Sequence, residues 1–385
     1  MKKWLVTLLC LAILAGCTNE RRLESYKRWY GARAKMLYGV ALEHLKVGQL
    51  DKARNKAQEA LTLDPDFAPG ALLLAKVEIE QGQYARAAER LDRLRKEVPD
   101  NAEVVYLYGV AQEKEGNLEI ALDSYRQSHA LDTENLEGVT AAGEVLVAMD
   151  RLDQAEEYVS GYLREAENDP ALYELAGRIA LMLDDYEQAV ARFRRARDSD
   201  YDNPFYQEWL GRAQYMAGEY SEALITLKEL VLRPEYDPPV WVHKTRGDCH
   251  MALGQYAQAR DAYVSARQCQ PDNAETWSDI AKAALALRDA PRAIMAAREA
   301  LRIDPRCENA PMILGYALLQ EEQAQEAASA LRAAVRVHPK NGTLHCLLGR
   351  ALEALGDNAA AEKCYRAAIL VDPENELART LLASR

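Results

Sequence analysis

The chain has 385 residues, 49% hydrophobic and 28% charged, with 20 Gly and 14 Pro, a balance that reads as globular and argues against a disordered chain. Its 48 basic residues against 60 acidic ones leave a net charge of −12, which argues against a general nucleic-acid binder, because neutralising phosphates takes concentrated Lys and Arg. Protein partners are expected instead.

The first element is "MKKWLVTLLCLAILAGC". Lys2 and Lys3 precede an apolar run from Trp4 to Leu14, and Ala15-Gly16 supply a small-residue cleavage site, so residues 1–16 read as an export signal. The run is shorter than the roughly 20 residues a membrane-crossing helix needs. "LAGC", Leu14 to Cys17, resembles the lipobox of bacterial lipoproteins. That resemblance implies that Cys17 is acylated and anchors the chain in a membrane, and Thr18 after it implies an outer-membrane lipoprotein facing the periplasm. An ordinary secretory signal is the alternative. Residues 17–33 then form a tether in which Arg21, Arg22, Lys27, Arg28 and Arg33 outnumber Glu20 and Glu24, suited to anionic headgroups, or else a solvated linker or short capping helix.

From residue 34 the chain repeats. "GQLDKARNKAQEALTLDP" (48–65), "GQYARAAERLDRLRKEVP" (82–99), "GEYSEALITLKELVLRPE" (218–235) and "GDNAAAEKCYRAAILVDP" (356–373) share one frame. An inner alanine recurs as Ala53, Ala87, Ala121, Ala155, Ala189, Ala223, Ala259, Ala293, Ala327 and Ala361, every 34 residues except for one step of 36. Twelve residues before each stands Ala or Gly, and Pro closes six of the ten units twelve residues after it.

This pattern resembles the tetratricopeptide repeat family over about residues 34–375. The resemblance implies an all-α, right-handed superhelical solenoid of ten helix-turn-helix units: 34–67, 68–101, 102–135, 136–169, 170–203, 204–239, 240–273, 274–307, 308–341 and 342–375. In physical terms each unit is two amphipathic helices, at positions 1–14 and 18–31, joined by a turn where Gly supplies backbone freedom. Small residues at positions 8 and 20 let the paired helices approach, and aromatics at position 24, such as Tyr125, Phe193, Tyr263 and Tyr365, are expected to fill the wedge against the next unit. Pro170 and Pro204 fall at first helical positions, where a missing N–H costs little. "LRPEYDPPVW" (232–241) holds the two extra residues and is a candidate bend or seam, or simply a longer loop. Residues 376–385 read as a helix capping the last apolar face.

Catalytic chemistry has little to rest on. His44, His129, His243, His250, His338 and His345 form no metal-binding spacing, and no phosphate loop, nucleophile elbow or C-x-x-C pair is present, so neither an enzyme, a cofactor, a metal nor a small-molecule substrate is expected. Cys249, Cys269, Cys307, Cys346 and Cys364 are odd in number and widely spaced; they read as small packing residues, with a bridge left open.

In the resembled family the concave face, lined by positions 2, 5, 9 and 12 of each first helix, holds extended peptides or helices of other proteins. Those positions carry Glu174 and Arg178, then Phe205, Glu208, Arg212 and Tyr215, then Trp241, Lys244, Asp248 and Met251. Aromatics, Arg and Met suit an anchoring patch. The expected role is a membrane-anchored adaptor that helps a pilus, secretion or polysaccharide-export machine assemble, or alternatively a non-catalytic regulator that recruits a cell-wall or polysaccharide enzyme.

Overall fold

A computed structural model describes the backbone of residues 2–383, apart from 165, 167 and 168, and side chains from residue 24 onward. The expected export signal and the expected lipidation site at Cys17 therefore lie outside the described side chains. Among the described residues every regular element is a helix, and the fold is the expected all-α repeat solenoid. It divides into two compact units at Asp184/Asp185.

The first unit contains α1 (Lys2–Lys46), α2 (Leu50–Leu63), α3 (Ala68–Glu80), α4 (Tyr84–Glu97), α5 (Ala102–Lys114), α6 (Leu118–Leu131), α7 (Glu137–Ala148), α8 (Leu152–Tyr162) and α9 (Pro170–Met182). The second contains α10 (Tyr186–Ser199), α11 (Pro204–Met216), α12 (Tyr220–Val231), α13 (Val240–Ala252), α14 (Tyr256–Cys269), α15 (Ala274–Ala286), α16 (Ala290–Ile303), α17 (Ala310–Gln320), α18 (Ala324–Val337), α19 (Gly342–Ala354), α20 (Asn358–Val371) and α21 (Glu376–Ala383). Within each unit every helix packs on the next in the chain. First helices of successive repeats also touch: α1 on α3, α3 on α5 and α7 on α9 in one unit, and α11 on α13, α15 on α17 and α17 on α19 in the other. First helices therefore share one face.

All ten frame alanines, from Ala53 to Ala361, are fully buried. The structure explains why position 8 alternates between Gly and Ala. A Cβ on Gly109 would sit 2.8 Å from the Tyr125 ring, on Gly211 2.5 Å from Leu227, on Gly247 2.3 Å from Tyr263, and on Gly349 2.5 Å from Tyr365. The three repeats with Ala at position 8, at Ala41, Ala75 and Ala281, carry Ala57, Leu91 and Ala297 at position 24, so none of them has an aromatic ring there. The position-24 side chain thus wedges into its own hairpin, where the sequence reading placed it against the next one. The cause is geometric: α-helices need to come within about 8–10 Å of each other, and only glycine leaves room for a ring at the crossing. Each buried tyrosine also needs an acceptor for its hydroxyl. Tyr125 donates to Glu113 at 2.7 Å, Tyr263 to Asp248 at 2.6 Å and Tyr365 to Glu353 at 2.8 Å.

The turn between paired helices takes left-handed backbone at position 15. Gly supplies it six times, while Asp150, Asp184, Arg288 and Glu322 hold φ of 58° to 60°. There the following N–H groups reach back to the last helical carbonyls, as Gly48 N to Leu45 O at 2.9 Å and Gln49 N to His44 O at 2.8 Å. A side chain in this conformation costs on the order of 1 kcal/mol. Arg288→Gly and Glu322→Gly are accordingly expected to stabilise the protein by about 0.5–1 kcal/mol each; a melting temperature lowered by either change would contradict this.

Asn101, Asp169, Asn203, Asn273 and Asn341 cap first helices by accepting backbone N–H bonds. Each such cap contributes about 1 kcal/mol. The segment 232–239 is a loop inside the second unit: the Arg233 guanidinium donates to the carbonyls of Tyr201 and Asp202, and the Tyr236 hydroxyl donates to Glu208 at 2.5 Å. For the stretch 17–33 the helical backbone agrees with the capping-helix alternative. Residues 24–33 continue the helix of the first repeat, since no Pro or other breaker interrupts them. At the far end α21 packs on α20 and brings Leu381 and Leu382 against the core. The five described cysteines are free thiols.

Candidate functional site

The residues singled out from sequence fall in both units. In the first, Arg178 on α9 lies 3.4 Å from Glu174 on the same helix and 3.7 Å from Glu144 on α7, which links two neighbouring first helices. Burial raises the Glu174 carboxyl above its usual pKa, against the pull of Arg178.

The other eight lie in the second unit, and the structure sorts them into two groups. Tyr215 on α11 and Asp248 and Met251 on α13 line a single pocket of about 570 Å³. Lys282 and Leu285 on α15 complete its wall, with Tyr256 at its edge. Sequence reading did not select Lys282 and Leu285, although they hold positions 9 and 12 of the eighth repeat and the same rule would have found them.

Lys244 stands beside this pocket in a polar cluster. Its Nζ lies 2.7 Å from Glu275 and 3.5 Å from Asp279. Burial pushes Asp279 up to about 6, with Lys244 opposing and Asp248 and Glu275 adding to the rise. Asp248 is also raised, by burial first, against the Tyr263 hydroxyl and Lys244. For Lys244 burial works against the charge, yet the Glu275 hydrogen bond and the carboxylates around it raise its pKa overall. Cys249 behind Asp248 is buried and pushed up to about 12 by burial and then by that carboxylate, so it stays a neutral thiol.

The remaining four side chains do not reach this pocket. Phe205 meets Tyr206 and Trp209 edge-on, and Arg212 lies over the Trp209 ring at 5.3 Å. Glu208 accepts the Tyr236 hydroxyl, and burial raises its pKa. Trp241 packs on Leu227, Leu230 and Val242. Its apolar area goes into joining α12 to α13. The pocket residues therefore form a mixed wall of tyrosine, methionine, leucine, the Lys282 ammonium and the half-buried Asp248 carboxylate. Such a wall can hold an extended segment through a hydrophobic anchor and a paired charge.

Stacked helical hairpins with one face built from first helices define a helical-repeat protein. The family model described as "Tetratricopeptide repeat" matches residues 44–110 and 113–179, and the one described as "Cilia and flagella-associated protein 70 C-terminal domain" matches residues 171–385, more than half of the chain. The chain belongs to the tetratricopeptide repeat family.

Among curated proteins it is similar to "Protein CTR9 homolog" of Arabidopsis thaliana, 24% identical over 72% of this chain and 26% of that protein. It is also similar to "BBSome complex member BBS4" of Bos taurus, 26% identical over 54% of this chain and 40% of that protein. The chain thus spans about a quarter to two fifths of the length of these relatives. Solved structures that resemble it include a tetratricopeptide repeat protein from Parabacteroides merdae, 15% identical with a TM-score of 0.46, covering 66% of this chain and all of that one. Another is the Cut9–Hcn1 hetero-tetramer of the APC/C, 13% identical with a TM-score of 0.44, covering 94% and 98%.

These relatives overturn the address read from the leader. A ciliary family model, a plant protein and a bovine protein point to eukaryotic relatives, whose cells have no bacterial periplasm to face. The lipobox match is four residues long, whereas the ciliary model extends over more than half of the chain. Among the described residues no helix is long and apolar enough to cross a membrane.

Proposed function

We propose that the chain is a protein-binding scaffold that seats an extended or helical segment of its partner along α11, α13 and α15. The observation that carries this is the convergence of Tyr215, Asp248, Met251, Lys282 and Leu285, from three successive first helices, on one pocket. The mixed signs favour a ligand with an aromatic or aliphatic anchor beside polar groups. Assembly of a larger complex is the role such a surface serves; recruitment of an enzyme by a chain that performs no reaction itself is the runner-up.

A photo-crosslinking amino acid at Met251 tests both. It is expected to capture a discrete partner in cells, and Lys282→Glu combined with Leu285→Glu should reduce that product at least about tenfold. Structural subunits among the captured proteins favour assembly, and enzymes favour recruitment. An undiminished product in the folded double variant would discard the pocket as the binding site.

A further inference from the structure

Two surfaces of the first compact unit lack partners and complement each other. The first is the leading part of α1. Residues 24–30 are all exposed, and Tyr26, Trp29 and Tyr30 stand 58%, 53% and 40% accessible. Their rings are already arranged, Tyr26 and Tyr30 with centroids 6.5 Å apart and Trp29 edge-on to Tyr30 at 5.0 Å. Around them are Lys27, Arg28 and Arg33, with Glu24 the one carboxylate of this stretch, 3.9 Å from Arg28. An aromatic, cationic helix turn is costly to leave in water and is the composition of an interface core.

The second surface is a groove of about 770 Å³ within the first four repeats, with an apolar floor that includes Leu50, Ile79 and Leu107. Its rim carries Glu80, Asp132 and Glu137, none of which makes an ion pair among the described residues. Its two lysines are already matched, Lys76 to Glu103 at 2.5 Å and Lys46 to Glu43 at 2.9 Å. The groove is thus acidic around a hydrophobic floor, in the sense opposite to the α1 segment.

The two cannot meet within one molecule. Lys46, on the groove wall, belongs to the same continuous helix as Trp29, and seventeen residues of α-helix hold them roughly 25 Å apart. We propose that the aromatic, cationic segment of α1 in one copy seats in the acidic groove of a second copy. Apolar anchors would fill the floor, while Lys27, Arg28 and Arg33 meet the three unpaired carboxylates, giving salt-sensitive association.

Sedimentation velocity of the full chain across a wide concentration range, at low and high salt, tests this. Self-association is expected at low salt. Lys27→Glu with Arg28→Glu and Arg33→Glu should weaken it at least about tenfold, and Glu80→Lys with Asp132→Lys and Glu137→Lys should do the same. Mixing the two variants should restore association, because the reversed segment now fits the reversed groove. Trp29→Ala with Tyr30→Ala, at exposed positions, removes the anchors without touching the fold, and circular dichroism checks that each variant stays helical. A chain that is monomeric throughout, association that survives both reversals, or no recovery on mixing folded variants overturns the proposal. So does a monomer that binds phosphatidylglycerol vesicles through the same segment, which would assign it to a lipid surface. Crosslinking at Met251 in the second unit is an independent readout, so failure here leaves the scaffold reading standing.

Discussion

Gly247→Val is expected to destabilise the second compact unit by about 3 kcal/mol, lowering its melting temperature by roughly 6–12 °C. The first added carbon would lie 2.3 Å from one carbon of the Tyr263 ring and 2.5 Å from its neighbour. That ring has nowhere to go: it is 1% exposed, and its hydroxyl is held by Asp248 at 2.6 Å. Against the clash stands only the few tenths of a kcal/mol by which Val exceeds Gly in a helix interior. The eighth repeat carries Ala281 and Ala297 at the same two positions, both fully buried, so a repeat without the ring accommodates a Cβ there. Combining Gly247→Val with Tyr263→Ala should therefore recover part of the loss, so the two changes together cost less than their sum. Additive losses in that cycle would mean that the ring is not what the new side chain meets. Because repeat stability is a sum over neighbours, the transition of α13 to α16 should broaden first.

The frame of small residues was legible because it obeys a period, and periods survive when individual residues vary. The ten alanines, the turns at position 15 and the prolines that start α9 and α11 all follow from local backbone rules. Which partner each small residue serves was not legible. Gly109 and Tyr125 are sixteen positions apart, and their contact depends on how two helices cross, which propensity alone does not fix. The caps at Asn101, Asn273 and Asn341 were available as Asn just before a helix start and went unread.

At the site the same limit applies. The concave-face positions selected Tyr215, Asp248 and Met251, which do converge, but also Trp241, whose ring is drawn into the α12–α13 contact. Periodicity says which face a side chain leaves from; the neighbouring side chains decide where it ends. Glu208 illustrates this, since its partner Tyr236 belongs to the loop formed by the 36-residue repeat, where the period breaks. The groove along α1 to α7 was legible by the same rule, since Leu45, Lys76, Ile79, Glu103, Tyr106 and Glu137 hold concave-face positions, but the sequence reading applied that rule only from the fifth repeat onward.

Asp279→Asn is expected to stabilise the folded protein at pH 7.5 by as much as about 3 kcal/mol, and to flatten its pH dependence. Burial holds the Asp279 carboxyl at about 6, above its ordinary 3.8, despite Lys244 at 3.5 Å. Between those two values the folded chain retains a proton that the unfolded chain has released, so this group makes stability fall as pH rises from about 4 to about 6 and leaves it low above. Asn keeps the shape and removes the charge, and Lys244 keeps Glu275 at 2.7 Å. Urea titrations of both proteins from pH 4 to 8 should converge at the acid end, separate mainly between about pH 4 and 6 and run parallel above that; curves parallel over the whole range would show that Asp279 titrates like an exposed carboxylate. A carboxylate that weakens its own fold is retained where something else offsets its charge. Lys244 at 3.5 Å offsets part of that charge, and a cationic group on a segment bound in the adjacent pocket would offset more, so the more stable Asp279→Asn protein should give less crosslinked partner at Met251. Equal or greater yield from the stabilised variant would separate the buried charge from binding and leave it as a cost of packing alone.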